Sequence, residues 1–248
     1  MAIVYRDCCP ACGSIQATKN GHIPSGKQSY QCKDCGRQFV SAFEQRRVSD
    51  DERALIGRLL YERLSLRGIC RAVGVSMRWL LGFVVECYDA APEHLNVQLP
   101  QCPDNVLIRC LDAEVDELWS FVGKKSNPQW VWLAMDSTTR QVIAFYVGDR
   151  SKKSARKLWK KIPAVYRDRA TFWTDGLASY QGIIPQAQHQ VITKQARKTN
   201  HVERLNCTLR QRLSRLVRAT LSFSKELENH IGAIRYFLCH YNLELAKP

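Results

Sequence analysis

Residues 199–218, TNHVERLNCTLRQRLSRLVR, limit what this chain can fold into more than any other stretch. At 100° per residue they form a helix with three faces. Val202, Leu205, Leu209, Leu213 and Leu216 make one apolar stripe, at the spacing that buries a helix against a larger body. Arg204, Arg212, Arg215 and Arg218 gather on the opposite side, and Glu203, Cys207 and Arg210 share a narrow line between the two. Glu203 is the only acid of the stretch. A solvated helix mixes its charge signs; this one holds a single carboxylate among cations beside a buried face.

The imbalance reaches further. From Arg150 to Lys225 there are eighteen Lys or Arg and three acids, Asp168, Asp175 and Glu203. Such a stretch repels itself unless it meets a polyanion, and nucleic acid is the usual one. The whole chain carries a net charge of +14 over 248 residues. No run of 18 apolar residues is present, so no membrane span is expected. The start MAIVYRDCC has no charged region followed by an apolar one, so no secretion signal is expected. Eleven cysteines without such a signal argue against a disulfide framework and for a reducing, cytoplasmic setting.

Residues 1–45 read as a zinc ribbon. Cys9-Pro-Ala-Cys12 and Cys32-Lys-Asp-Cys35-Gly36 are two Cys-x-x-Cys knuckles with 19 residues between them. Each knuckle sets two thiolates on one turn, and two knuckles complete a tetrahedral, closed and therefore structural zinc site. Cys8 competes with Cys9, but the spacing favours Cys9, and His22 reads as a bystander. Short strands are expected at 29–32 and 37–40.

Residues 46–92 read as a helix-turn-helix domain. Asp50 and Asp51 suit a helix start, and Cys70, Gly74 and Leu80 sit where a helix-turn-helix needs a small residue, a turn glycine and an apolar residue. The expected elements are a helix over 66–73, a turn over 74–76 and a recognition helix over 77–88, opened by Ser76, Met77, Arg78 and Trp79. Three ordinary packed helices are the plainer reading of the same pattern. Pro92, Pro100 and Pro103 mark a linker over 89–104.

Residues 105–248 change period. A strand starting at Val106 alternates through Asp112, Glu114, Asp116 and Leu118. Residues 129–135 and 141–147 are further strands, joined by a turn that Asp136 starts, which completes an antiparallel meander. A basic helix with Ala155 and Leu158 inward follows, then a buried strand over 169–173 that ends at Asp175, and a possible fifth strand over 189–193. The helix of residues 199–218 and a last one over 224–241 close the chain. Meander, helix, strand, then helices is the order of an RNase H-like α/β domain, so the chain as a whole is multidomain α+β. Such a domain can bring Asp116, Asp175 and Glu203 together. Three converging carboxylates suit two hard divalent ions, Mg²⁺ or Mn²⁺, about 4 Å apart, as in-line phosphoryl transfer uses them. By spacing alone Asp112, Glu114 and Glu117 compete with Asp116.

At these residues a resemblance becomes specific. VDELWSFVG, TDGLASY and NHVERLNCTLRQRLSRL resemble the motifs of bacterial DDE transposases of the insertion-sequence-one family. The likeness covers almost the whole chain, since that family also joins a zinc ribbon and a helix-turn-helix to its catalytic domain. It implies a catalytic triad of Asp116, Asp175 and Glu203, with the short interval of 27 residues between the last two typical of the family. Arg210, seven residues past Glu203, matches a basic position common in DDE enzymes. It further implies a bacterial, nucleoid-associated transposase that binds terminal inverted repeats in double-stranded DNA, works as at least a dimer, and cleaves and joins strands. The expected DNA contacts are Arg67, Arg71, Ser76 and Arg78 on the two helices, and Lys152, Lys153, Arg197, Lys198, Arg204, Arg210, Arg212 and Arg215 in the basic stretch.

Two rival readings exist. His201-Val-Glu-Arg204, with Tyr236 or Tyr241 downstream, resembles a tyrosine recombinase, whose arginines clamp a phosphate that tyrosine attacks. It leaves Asp116 and Asp175 without a role. A non-enzymatic repressor built of ribbon and helix-turn-helix accounts for only the first 100 residues.

Overall fold

The computed structural model describes residues 8–24, 26–40, 47–99, 111–192, 199–217 and 221–247. The chain divides into two compact units, Met1–Ser49 and Asp50–Pro248.

In the first unit three strands, β1 (Ala17–His22), β2 (Gln28–Cys32) and β3 (Gln38–Val40), form an antiparallel sheet in that order. The sequence reading anticipates β2 and β3; β1, almost wholly exposed and polar, carries no apolar alternation to reveal it. Each Cys-x-x-Cys turn closes back on its first cysteine. The N–H of Gly13 donates to the Cys9 carbonyl at 2.8 Å and that of Gly36 to the Cys32 carbonyl at 3.0 Å. Both glycines lie at φ near +70°, where a side chain would be strained.

The second unit opens with α1 (Asp50–Leu59), α2 (Leu66–Val73) and α3 (Met77–Ala90). The α2–α3 pair is bent by 114° around Gly74, which sits at φ +72° and donates its N–H to the Cys70 carbonyl. Ser65 and Ser76 cap the two helices by accepting the N–H groups of Gly68 and Trp79. The two helices and the turn between them fall where the sequence spacing predicts.

A five-stranded sheet follows, built of β4 (Leu111–Phe121), β5 (Pro128–Asp136), β6 (Val142–Gly148), β7 (Ala170–Thr174) and β8 (His189–Val191). The order is β6-β5-β4-β7-β8, with β4, β5 and β6 an antiparallel meander and β7 and β8 added parallel to β4. β5 and β4 lie inside the sheet and are largely buried on both faces, which suits the apolar run of β5; β4 instead carries four acids. On one face α4 (Lys152–Lys161) and α5 (Ala164–Arg169) pack Ala155, Leu158, Ile162 and Tyr166 onto Ala113, Val115, Trp132 and Ala134. On the other lie α6 (Asn200–Arg212) and α7 (Leu227–Leu245). Asn242 of α7 is fully buried and takes both backbone groups of Val142, so the edge strand β6 is covered. No single helix among the described residues is long and apolar enough to cross a membrane.

Two elements differ from expectation. The long helix of residues 199–218 ends at Arg212, yet Leu213 and Leu216 stay buried, because the apolar pattern reports burial rather than helical conformation. The first strand is described only from Leu111; its expected start at Val106 lies outside the described residues, as do Arg197 and Lys198.

The three-helix segment and the sheet domain share α7. Tyr236 donates its hydroxyl to the Gly57 carbonyl at 3.0 Å, and Arg235 donates to the Tyr88 carbonyl at 2.8 Å. At Gly232 the helices come so close that a Cβ would lie 2.8 Å from the Tyr88 side chain. Gly232→Ala is therefore expected to destabilise this unit by about 1–3 kcal/mol through overpacking, read as a lower midpoint in thermal unfolding. An unchanged midpoint would mean that the α3–α7 contact yields freely.

Candidate active site

β7 pairs with β4 only along Leu111–Glu114. Two residues beyond the last pair, Glu114 and Trp173, stand Asp116 on β4 and Asp175 just past the end of β7. Carboxylate oxygens of Asp116, Glu117 and Asp175 lie within 4.8 Å of one another. The four acids of β4 that compete in the sequence now have separate work. Asp112 accepts the indole N–H of Trp173 at 3.2 Å. Glu114, 2% exposed, accepts the backbone N–H groups of His201 and Val202 at 2.9 Å each. Glu117 accepts the hydroxyl of the buried Tyr180 on one oxygen and, on the other, the Arg150 guanidinium at 3.1 Å. Asp116 faces the opening where β7 has stopped.

Glu114 also fixes α6. The first N–H groups of a helix lack internal partners, and the Thr199 side chain caps none of them. A carboxylate from the neighbouring strand takes that role and meets the positive end of the helix. With α6 so docked, Asn206 donates its side-chain N–H to Asp116 Oδ2 at 2.7 Å, and Arg210 donates to the Trp119 carbonyl at 3.2 Å. Glu203 lies close enough for its charge to act on Asp116, but its exposed carboxylate stands outside the 4.8 Å group and accepts the Thr199 hydroxyl at 3.1 Å.

Burial pushes the Asp116 carboxyl up to about 6; the charges of Asp175 and Glu203 add to the rise, and the Glu117 N–H opposes it. Burial likewise pushes Glu117 up to about 7, against its bonds to Tyr180 and Arg150. A cluster of acids that resist ionisation is what a divalent cation relieves. The donors fit such an ion: several carboxylate oxygens converge, and Asn206 Oδ1, bonded to no other protein atom and buried, lies on the amide that holds Asp116.

The other expected metal site also fits its ion. The sulfurs of Cys9, Cys12, Cys32 and Cys35 lie within 4.8 Å of one another, with Cys9–Cys35 and Cys12–Cys32 at 3.6 Å. A tetrahedral zinc site with bonds of about 2.3 Å needs sulfurs about 3.8 Å apart. Cys9, not Cys8, joins the group. Backbone N–H groups, that of Ala11 foremost, draw the Cys9 thiol down to about 6, towards the thiolate that binds metal.

The expected DNA contacts are scattered. Arg67, Arg71 and Arg78 are exposed on α2 and α3, Lys152 and Lys153 at the start of α4, and Arg204 on α6. Ser76 spends its hydroxyl oxygen on the α3 cap. Arg212 is bound by Glu62 at 2.7 Å and Glu244 at 3.0 Å, and Arg215 by Ser224 and Tyr88, so both guanidiniums have protein partners. Asp136 is a turn starter, accepting the N–H groups of Thr138 and Thr139. Sequence reasoning missed Asn206, Arg150 and Tyr180. For Asn206 a signal was available, one turn beyond Glu203 and beside the line that carries it; Arg150 and Tyr180 meet Glu117 only through the fold.

An α/β domain that gathers acids from two neighbouring parallel strands, in a chain with a net charge of +14, defines a class: an enzyme-like acidic site on a strongly basic protein. Comparison with known proteins makes this particular. A family model described as IS1 transposase matches residues 107–243. The chain is 38% identical over 136 residues to Insertion element IS1 9 protein InsB of Escherichia coli (strain K12), covering 55% of this chain and 77% of that protein. It is 38% identical over 126 residues to Insertion element IS1 protein InsB of Shigella sonnei, covering 51% of this chain and 92% of that one. A chain of a solved simian T-cell lymphotropic virus intasome, in complex with a PP2A regulatory subunit, aligns at a TM-score of 0.32 and 12% identity. It covers 63% of this chain and 57% of its own length, a likeness too slight to bear on fold or function. This chain belongs to the IS1 transposase family.

Two predictions follow from the donor sets. Cys12→Ser or Cys35→Ser should each cost one equivalent of bound zinc, measured by metal analysis of the purified protein; full zinc content in both would refute a four-thiolate site. Asp116 binds its proton more tightly when folded, at about 6 against 3.8 in the unfolded chain. Its contribution is therefore present below about pH 4 and is lost as pH rises through 6. Without added divalent ion, Asp116→Asn should be more stable than the parent near pH 8, by up to about 2–3 kcal/mol, and equal to it near pH 4. Added Mg²⁺ should narrow the gap at high pH. A pH-independent difference in unfolding midpoint would contradict the assigned burial.

Proposed function

We propose that this chain is a DDE transposase of the RNase H-like kind, which cuts the 3′ ends of its insertion element with water and joins them to target DNA. The observation that carries this reading is the approach of Asp116, in the middle of β4, and Asp175, just past the end of the parallel strand β7, in a chain of a transposase family. Asp116, Asp175 and Glu203 would hold two divalent ions, which polarise the attacking oxygen and stabilise the leaving one. Glu203 is preferred to Glu117 as the third ligand, because both Glu117 oxygens are already bound, by Tyr180 and Arg150, while Glu203 is exposed one turn from Asn206. To ligate there its side chain would have to leave the Thr199 hydroxyl and turn towards Asp116.

Each residue then has a stated task. Asn206 orients Asp116 through the 2.7 Å bond, and Arg150 holds Glu117 in place and partly offsets the effect of its burial. In the first step the water oxygen bonds to phosphorus and the 3′ oxygen leaves. In the second that 3′ hydroxyl attacks a target phosphate, again displacing a 3′ oxygen. The zinc ribbon and the helix-turn-helix, with Arg67, Arg71 and Arg78 exposed, would read the inverted repeats, and the exposed Lys152, Lys153 and Arg204 would hold backbone phosphates. Pairing two ends calls for at least two copies of the chain. The tyrosine-recombinase reading is disfavoured: Tyr236 donates its hydroxyl to the Gly57 carbonyl, and burial raises its pKa, both poor for a nucleophile.

Cleavage of labelled duplex carrying the element's ends is expected with Mg²⁺ or Mn²⁺ and not without. Asp116→Ala, Asp175→Ala and Glu203→Gln should each lower the rate by about a thousandfold or more, the several kcal/mol a bound ion supplies, with DNA binding largely kept. A covalent protein–DNA adduct formed without divalent ion, and lost in Tyr236→Phe or Tyr241→Phe, would overturn the reading.

A further inference from the structure

α3 has one covered flank and one bare one. On the first sits Arg53 of α1: its guanidinium lies 5.5 Å from the centres of both the Trp79 and Phe83 rings, which stack on each other, and it pairs with Glu86 at 3.9 Å. Leu80, Val84 and Tyr88 form the buried face. What remains, at 100° per residue, is a strip of Arg78, Leu81, Gly82 and Val85. Leu81 is 49% and Val85 47% exposed, one turn apart. A Cβ at Gly82 would meet nothing within 4 Å, so the strip is open there. α3 contains no Asn or Gln, the side chains that read a base edge by paired hydrogen bonds to adenine.

The cations of this segment differ from Arg150, Arg212 and Arg215, which have protein partners. Among the described residues, Arg67 and Arg71, one turn apart on the exposed side of α2, and Arg78 on α3 have no hydrogen-bond, ion-pair or ring partner. Three unpaired guanidiniums suit a polyanion, and an apolar protein surface would leave them without counter-charge. The 114° bend around Gly74 and the cap at Ser76 make α3 the second helix of a helix-turn-helix, the one that enters the major groove of DNA. The base edges there show donors, acceptors and one apolar group, the 5-methyl of thymine. Leu81 and Val85 can bond none of the polar groups and can bury the methyl. We propose that Leu81 and Val85 read thymine in the inverted repeats through its 5-methyl group. The proposal rests on the reading of this chain as a protein that binds its element's ends. Gly82, without a side chain, lets the helix backbone come close to the base edges, and the three arginines hold phosphates beside them.

The test uses the full-length protein without divalent ion, so that nothing is cut. Fluorescent duplexes carrying one terminal inverted repeat are compared by anisotropy: the natural duplex, and a set in which each thymine in turn is replaced by uracil. Uracil lacks the methyl and keeps every hydrogen-bonding group and charge. At one position or more the parent protein should bind the uracil duplex about fourfold more weakly, the worth of one buried carbon. Leu81→Ala and Val85→Ala change exposed positions to a good helix former, so both should fold. Each should bind the natural duplex more weakly than the parent does, and at the sensitive positions the response to uracil should shrink in the single variants and vanish in Leu81→Ala/Val85→Ala. Equal binding of all the uracil duplexes by the parent, or an undiminished response in the single and double variants, would overturn the contact. So would a change in sedimenting mass in the double variant with the response intact, which would make the strip an interface between copies. Absence of Mg²⁺-dependent cleavage, with the uracil response present, would instead defeat the reading of the reaction and leave the thymine contact standing.

Discussion

The bond between Glu114 and the start of α6 is the one on which the rest of the site depends. A carboxylate buried to 2% exposure needs donors, and a helix start needs acceptors. Each supplies what the other lacks, at 2.9 Å to two successive N–H groups. The consequence is register. Because Glu114 meets His201 and Val202, the next turn brings Glu203 and Asn206 to Asp116, and the one after brings Arg210 to Trp119. A slip of α6 by one turn, about 5.4 Å, would separate every one of these pairs.

The site also balances charge in two tiers. Behind Asp116 and Asp175, Glu117 is held by Tyr180 and Arg150, so this buried acid has a partner on each oxygen. In front, Asp116 is left raised towards about 6, and Glu203 stands exposed nearby. Desolvation is the larger cause at both buried acids, and like charges add to it. An arrangement of this kind costs stability in the free protein and is relieved by cations, which is a common compromise at sites of chemistry.

α7 ties the helix-turn-helix segment to the sheet. It meets α3 at Gly232, α1 at Gly57, the edge strand through Asn242, and β4 through His230, whose ring nitrogens contact Ser120 and Ser224. Burial and the nearby Arg215 lower the His230 pKa to about 4, so it is a neutral bridge at ordinary pH. Arg212 adds a further strut between Glu62 and Glu244. The sequence treats residues 46–92 and 105–248 as neighbours joined by a linker; packing makes them one compact unit, because the apolar and hydrogen-bonding face of α7 is shared between them.

Much of this was legible in the chain itself. The knuckle spacing, the bend at Gly74, the meander and the strand ending at Asp175 are local patterns, each set by a few neighbouring residues and by the period of helix or strand. The single acid of residues 199–218, read against eighteen cations between Arg150 and Lys225, already pointed to Glu203 and to a polyanion. What the sequence left open was the sorting of Asp112, Glu114, Asp116 and Glu117, four acids within six residues of one strand. Alternation tells which face each takes, but not what stands opposite. Only the tertiary structure decided that: β7 stops beside Asp116, α6 starts over Glu114, and Tyr180 and Arg150 arrive on Glu117 from sixty-three and thirty-three residues away. A carboxylate's task is set by the donors and charges that reach it, and those come from parts of the chain that no local pattern connects.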